Sequence, residues 1–96
     1  MQVHRIYVAS PNTLVDGRVY AVDKACLVVC GGFTRYEAIG GSDIGKGVAI
    51  KYTFMWEVIG RLTHDDAKDI GRLAAREFRQ HEVLVTSQDV RTSFVS

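Results

Sequence analysis

The spacing of hydrophobic residues divides this chain into strand-like and helix-like stretches. Over residues 2–9 the period is two, with Ile6 and Val8 pointing one way and Arg5 and Tyr7 the other. Ser10-Pro11-Asn12 then supplies turn chemistry around the chain's single proline. From Asp16 to Cys30 the period changes: Val19, Val22, Cys26 and Val29 recur at helical spacing, flanked by Ala25 and Cys30, with Asp23 and Lys24 toward solvent. Gly31-Gly32 follows, and a glycine just past a helix end can take the left-handed conformation that closes it. Contiguous, β-prone Leu27, Val28 and Val29 offer a competing strand over residues 25–30; the longer helical stripe favours the helix.

A short strand is expected over residues 33–39, then a glycine-rich connection over residues 40–47. The strongest strand pattern comes next. Val48, Ile50, Tyr52, Phe54, Trp56 and Val58 alternate without a break, opposite Ala49, Lys51, Thr53, Met55, Glu57 and Ile59. Thr63-His64-Asp65-Asp66 reads as a helix start, with Thr63 as cap and Asp66 in the capping-box position. Ala67, Ile70, Gly71, Ala74 and Phe78 form the apolar stripe of that helix, and Lys68, Arg72, Arg76 and Arg79 lie outside it. Residues 82–86 read as a fourth strand, Ser87-Gln88-Asp89 as a turn, and residues 90–95 as an extra C-terminal strand.

The order β-α-β-β-α-β requires right-handed crossovers, which put both helices on one face of an antiparallel sheet. The predicted fold is therefore an α+β, ferredoxin-like sandwich with the other sheet face open, a single domain over residues 1–96. That open face is the expected partner-binding surface. It gathers Arg5, Tyr7, Lys51, Met55, Glu57 and Ile59, and homodimerisation through it would cover apolar area that a chain of 96 residues cannot bury alone.

Composition narrows the function. Twelve basic against 11 acidic residues leave a net charge of +1, which gives no general reason to expect nucleic acid or an anionic membrane as partner. RNA binding by a ferredoxin-like sheet also needs aromatics on the open face, and the aromatics of the long strand fall on the other. No apolar run reaches the roughly 20 residues of a membrane span, and residues 1–5 lack the features of a signal peptide. Two cysteines do not make a disulfide scaffold.

The candidate chemical motifs each have a plainer explanation. Gly40-x-x-x-x-Gly45-Lys46-Gly47 is one residue short of a phosphate-binding loop: Gly47 stands where the magnesium-binding hydroxyl belongs, and a strand rather than a helix should follow. Cys26 and Cys30 share a helical face but lack the two further ligands of a zinc site, so they read as small core thiols. His64-Asp65-Asp66 is explained by capping and the helix dipole, and His81-Glu82 by its place near a helix end. His4, His64 and His81 are scattered singly. No catalytic constellation, metal site or cofactor is expected.

Gly31-Gly32-Phe33-Thr34 after a helix, Tyr36-Glu37-Ala38-Ile39-Gly40 in a strand, Glu57-Val58 near the end of the long strand and Gln80-His81-Glu82-Val83-Leu84-Val85 after a charged helix resemble small uncharacterised phage and prophage proteins. The layout is also similar to a bacterial ferredoxin-like domain family of unknown function. The resemblance runs from about Asp16 onward and implies a phage context, the same fold and no known catalytic residues. The resulting expectation is a non-enzymatic interaction protein of the host cytoplasm. It would act as a homodimer or on a host protein complex, as an inhibitor of a host defence system such as an anti-CRISPR. The alternatives are a small-molecule or nucleotide binder, or an enzyme, with a pocket near residues 40–47, and a minor virion component.

Overall fold

The computed structural model describes residues 1–10, 16–43, 45 and 47–96, and for residues 10, 16, 40–43 and 48–51 the backbone alone. Six elements follow one another: β1 (Gln2–Ser10), α1 (Asp16–Cys30), β2 (Thr34–Asp43), β3 (Val48–Gly60), α2 (His64–Glu77) and β4 (Leu84–Asp89). The strands form one antiparallel sheet in the order β2-β3-β1-β4. This is the ferredoxin-like α+β arrangement that the pattern predicts. Both helices lie on one face, α1 against β3 and α2 against β1 and β4.

Pairing opportunity overrides local composition at two places. Gly40–Asp43, expected as loop, extends β2 because β3 supplies partners from Lys51 to Val48. Ser87-Gln88-Asp89, expected as a turn, continues β4 because His4, Val3 and Gln2 stand opposite. Asp89 meets Gln2, the first residue of β1, so the chain then runs off the sheet. After one hydrogen bond from the Val90 N–H to the Met1 carbonyl (2.9 Å), residues 90–96 form no strand, and the expected C-terminal strand is absent.

The two helices close by different routes. Gly31 takes φ +76° and its N–H bonds the Leu27 carbonyl (2.9 Å), the left-handed cap expected of glycine. Helix α2 ends instead on Arg79, at φ +53°. The Gln80 N–H reaches the Ala75 carbonyl (2.8 Å) and the Arg79 N–H that of Arg76 (3.3 Å), which is a Schellman motif. At its other end Thr63 and Asp66 form the reciprocal capping box read from the sequence.

Ile6, Val8, Phe54, Trp56 and Val58 of the sheet meet Val19, Val22 and Cys26 of α1 and Ile70, Ala74 and Phe78 around α2. Phe54, Trp56 and Phe78 stack in a tilted triangle with ring centroids 5.9–6.1 Å apart, worth about 0.5–1.5 kcal/mol per pair beyond area burial. Trp56 is fully buried, so its indole N–H needs an acceptor. Asp23 provides it at 2.7 Å and also accepts from Arg35. Asp23 therefore does not face solvent as its helical position suggested; it turns inward to satisfy the indole.

Candidate functional site

The strand register places the predicted open-face residues. Across β1 and β3, Arg5 stands opposite Glu57, Tyr7 opposite Met55 and Val3 opposite Ile59. Arg5 and Glu57 form a half-buried ion pair at 2.9 Å. Tyr36 of β2 lies beside Met55, and Leu84 of β4 beside Tyr7. Tyr36, Ile59 and Leu84 are exposed, whereas Tyr7 and Met55 are half-buried. The structure thus brings five of the six predicted residues onto one face. Lys51 pairs with Gly40 in β3, but its side chain lies outside the described residues.

The element that follows the glycine-rich connection is a strand, not the helix a phosphate loop needs. Gly45 and Gly47 have positive φ (+79° and +139°), conformations that favour glycine, and β3 rather than a helix begins at Val48. Lys46, the residue that would meet a phosphate, lies outside the described residues, as does much of the pocket expected near residues 40–47.

The other end of the molecule holds a polar constellation that the sequence reading treated as isolated residues. Here β1 starts, β3 ends, α2 starts and β4 ends. His4 is fully buried, its Nδ1 lies 2.6 Å from Ser87 Oγ and its Nε2 lies 2.8 Å from the Leu62 carbonyl oxygen. His64 Nδ1 reaches the same Ser87 Oγ at 2.5 Å. A carbonyl can only accept, so His4 Nε2 carries a proton and, in the neutral ring, Nδ1 accepts from the Ser87 hydroxyl. Ser87 has one proton to give, so the bond from His64 runs the other way, from Nδ1–H to Oγ. Assigned in this way, the chain His64–Ser87–His4–Leu62 has one direction, and it leaves His64 Nε2 as an acceptor.

His64 opens onto a cleft of about 430 Å³ between α2 and β4. Helix α2 lines it with His64, Lys68, Arg72 and Ala75, and the chain from His81 to Val85 lines it from the other side. Gly71 sits where the two elements touch: a Cβ there would come within 2.6 Å of Val85 Cγ2. Clefts of about 420 and 480 Å³ adjoin the segment Gly60-Arg61-Leu62, the first reaching Cys30 and Asp66 and the second Met1 and His64. Each volume falls in the lower part of the small-molecule range.

The titrating groups there have clear physical causes. Backbone and side-chain hydrogen bonds from Thr63 hold the Asp66 carboxyl below its ordinary value. Desolvation, with Cys30 and Asp23 nearby, pushes the Cys26 thiol up to about 12, and desolvation also raises Cys30. Neither thiol has the lowered value of a nucleophile. Among the described residues, no three His, Cys, Asp or Glu gather as metal ligands, and no helix is long and apolar enough to cross a membrane.

The nearness of His4 to Ser87 was not readable, because 83 positions separate them and Ser87 was assigned to a turn. A signal existed all the same. His4 shares its face with Ile6 and Val8, and a buried imidazole needs two partners.

No family model matches the sequence, and no curated protein matches it. Solved structures do match the fold. A phage SAM lyase in its apo state aligns with a TM-score of 0.71 at 15% identity, over 91% of this chain and 78% of the other. A phage SAM lyase in complex with S-methyl-5'-thioadenosine aligns with a TM-score of 0.61 at 16% identity, over 92% and 80%. The periplasmic divalent cation tolerance protein CutA from Archaeoglobus fulgidus aligns with a TM-score of 0.65 at 8% identity, over 96% and 87%.

Proposed function

We propose that this chain is a phage protein that binds S-adenosylmethionine or a closely related thionucleoside, and that it acts on that ligand as an enzyme. The observation that carries the reading is the alignment of nine-tenths of the chain with two phage SAM lyase structures, one of which holds S-methyl-5'-thioadenosine. The clefts around Gly60-Arg61-Leu62 and between α2 and β4 support it with room for a small molecule. The lack of a nucleophile or metal cluster in the sequence does not oppose it. A sulfonium leaves as a neutral thioether that keeps the bonding pair, so cleavage of its C–S bond needs no acid on the leaving group. Attack of the ligand's own carboxylate on the γ-carbon as that bond breaks closes a lactone, and positioning alone can supply much of the rate. This reading moves away from a purely non-enzymatic protein and takes up the small-molecule alternative.

The open face favours a second component. Tyr36, Ile59 and Leu84 are exposed beside half-buried Met55 and Tyr7, an apolar patch that suits self-association through a homodimer. The same patch is what an inhibitor of a host defence complex, an anti-CRISPR among them, would use. Calorimetric titration with S-adenosylmethionine and with S-methyl-5'-thioadenosine, followed by chromatography of the mixture, separates the readings. Binding of either ligand, with conversion of the first into a thioether nucleoside, is expected. No binding of either at millimolar concentration overturns the small-molecule reading and leaves the interaction protein.

A further inference from the structure

Strand β3 outruns the sheet. Among the described residues β1 pairs with it only from Gly60 to Tyr52, where Ser10 stands opposite, yet β2 stays with it down to Val48. Past Tyr52 the β2–β3 hairpin therefore continues for roughly 14 Å as a two-stranded arm, with both of its long edges unpaired. At the root of the arm Ile39 and Tyr52 stand opposite one another, on the side that carries the helices elsewhere. They are 73% and 57% exposed, whereas Phe54, two residues along β3 on the same side, is buried. A two-stranded ribbon is marginal in water unless something packs against it, and its free edges are templates for pairing.

The surface of the whole chain points the same way. It exposes 6744 Å², against about 5,500 Å² for a compact monomer of this length. The excess is larger than the roughly 800 Å² that each partner gives to a standard interface. The C-terminal run contributes to it with Phe94 and Val95, and the arm with Ile39 and Tyr52. The radius of gyration, 14.1 Å, is likewise above the roughly 12.5 Å of a compact chain, and the long axis measures 48 Å against 27 and 26 Å.

The open face, where Tyr36, Ile59 and Leu84 are exposed, lies on the opposite side of the sheet from Ile39 and Tyr52. One molecule cannot fold the first apolar surface onto the second. Two copies can cover both, because in a two-fold dimer a contact from arm to open face is made twice. We infer that the β2–β3 arm is an interface with a second copy of this chain, its Ile39–Tyr52 side laid on that copy's open face. The inference rests on the self-association component above and adds to it the surface that meets the open face.

The test is molar mass by light scattering at high micromolar concentration, for the parent, for Ile39→Glu/Tyr52→Glu and for Met55→Glu, with circular dichroism as the check on folding. The parent should run at twice the mass of one chain or more. The arm variant should keep its fold, since both side chains are exposed, and its association should weaken about tenfold or more. Should it not fold, Tyr52→Ser replaces it and should weaken association in the same direction. Mixing the arm variant with Met55→Glu restores one intact contact from arm to face, so the mixture should be heavier than either variant alone. An arm variant that associates like the parent, or a mixture no heavier than its components, would overturn the inference while the parent still associates. A monomeric parent overturns the self-association reading itself, and the role of the arm with it.

Discussion

Phe54 and Met55 are neighbours in β3 that lead opposite lives. Phe54 lies under the helices in the aromatic triangle, at 3% exposure, and Met55 lies half-buried on the uncovered side between Tyr7 and Tyr36. Under the helices Ile6, Val8, Phe54, Trp56 and Val58 are enclosed, while Tyr52 and Ile39, further along β3 and β2 on the same side, stay exposed; each buried side-chain polar atom among the described residues has its partner. The open face exposes Tyr36, Ile59 and Leu84 and tolerates a charged pair, Arg5–Glu57, in its middle. One face is thus committed to holding the fold together, and the other is free to meet another molecule. The polar seam at the β3–α2 end belongs to the first group by its burial and to the second by its opening onto clefts.

Substitutions across this divide should differ by several kcal/mol. Phe54→Ala should cost about 3–5 kcal/mol of stability in denaturant melts, as for other buried Phe truncations. A variant as stable as the parent would invert the assignment of faces. Ser87→Ala tests whether the polar seam behaves as core. It removes the partner of fully buried His4 Nδ1, and a loss of about 1–3 kcal/mol is expected by the same measurement. A neutral result would mean that water replaces the hydroxyl and that His64 is not held.

Cys26 sharpens the comparison through pH. In the fold its thiol keeps its proton up to about 12, against an ordinary value of 9.0 that applies once the chain unfolds. A group whose folded pKa is raised contributes stability that is full below the unfolded value and is lost as pH rises toward the folded one. Stability should therefore decline between pH 9 and 12 more steeply than in Cys26→Ala. At pH 8 a thiol reagent should label Cys30 of the native protein and reach Cys26 only after unfolding. Prompt labelling of both would place Cys26 outside the core. The smallest change in stability is expected on the open face. Met55→Glu should shift it by no more than about 0.5 kcal/mol, yet lower the molar mass seen by light scattering if copies meet through this face. A parent that is monomeric at high micromolar concentration removes self-association, and an unchanged dimer in the variant moves the interface to the exposed edge of the sheet.

Much of the covered face was legible because burial imposes a period. The alternation through Phe54, Trp56 and Val58 and the stripe Ala67-Ile70-Gly71-Ala74-Phe78 name core side chains directly, whereas Tyr52, expected under the helices by the same alternation, is exposed because neither helix reaches that end of β3. The capping box at Thr63 and the glycine closure at Gly31 were legible too, since both are local. Helix α2 had no glycine at its end, and Arg79 took the left-handed position against its own preference because the fold turns there. What pattern could not reveal is long-range polar pairing: Asp23 with Trp56, and His4 with Ser87 and Leu62. Such pairs have no period; each exists because a buried donor or acceptor must be satisfied by whatever the topology brings near. The candidate site at the β3–α2 end is made of these, which is why single histidines looked structural one at a time.

The most direct test of the account is incubation of the purified protein with S-adenosylmethionine, followed over time by chromatography and mass spectrometry of the nucleosides. The account predicts protein-dependent loss of S-adenosylmethionine with matching appearance of a thioether nucleoside. Ligand-induced stabilisation should accompany it, worth about 2.7 kcal/mol when ligand stands at 100 times its Kd. Unchanged S-adenosylmethionine, with no stabilisation by it or by S-methyl-5'-thioadenosine, would contradict the account and leave the open sheet face as the functional surface.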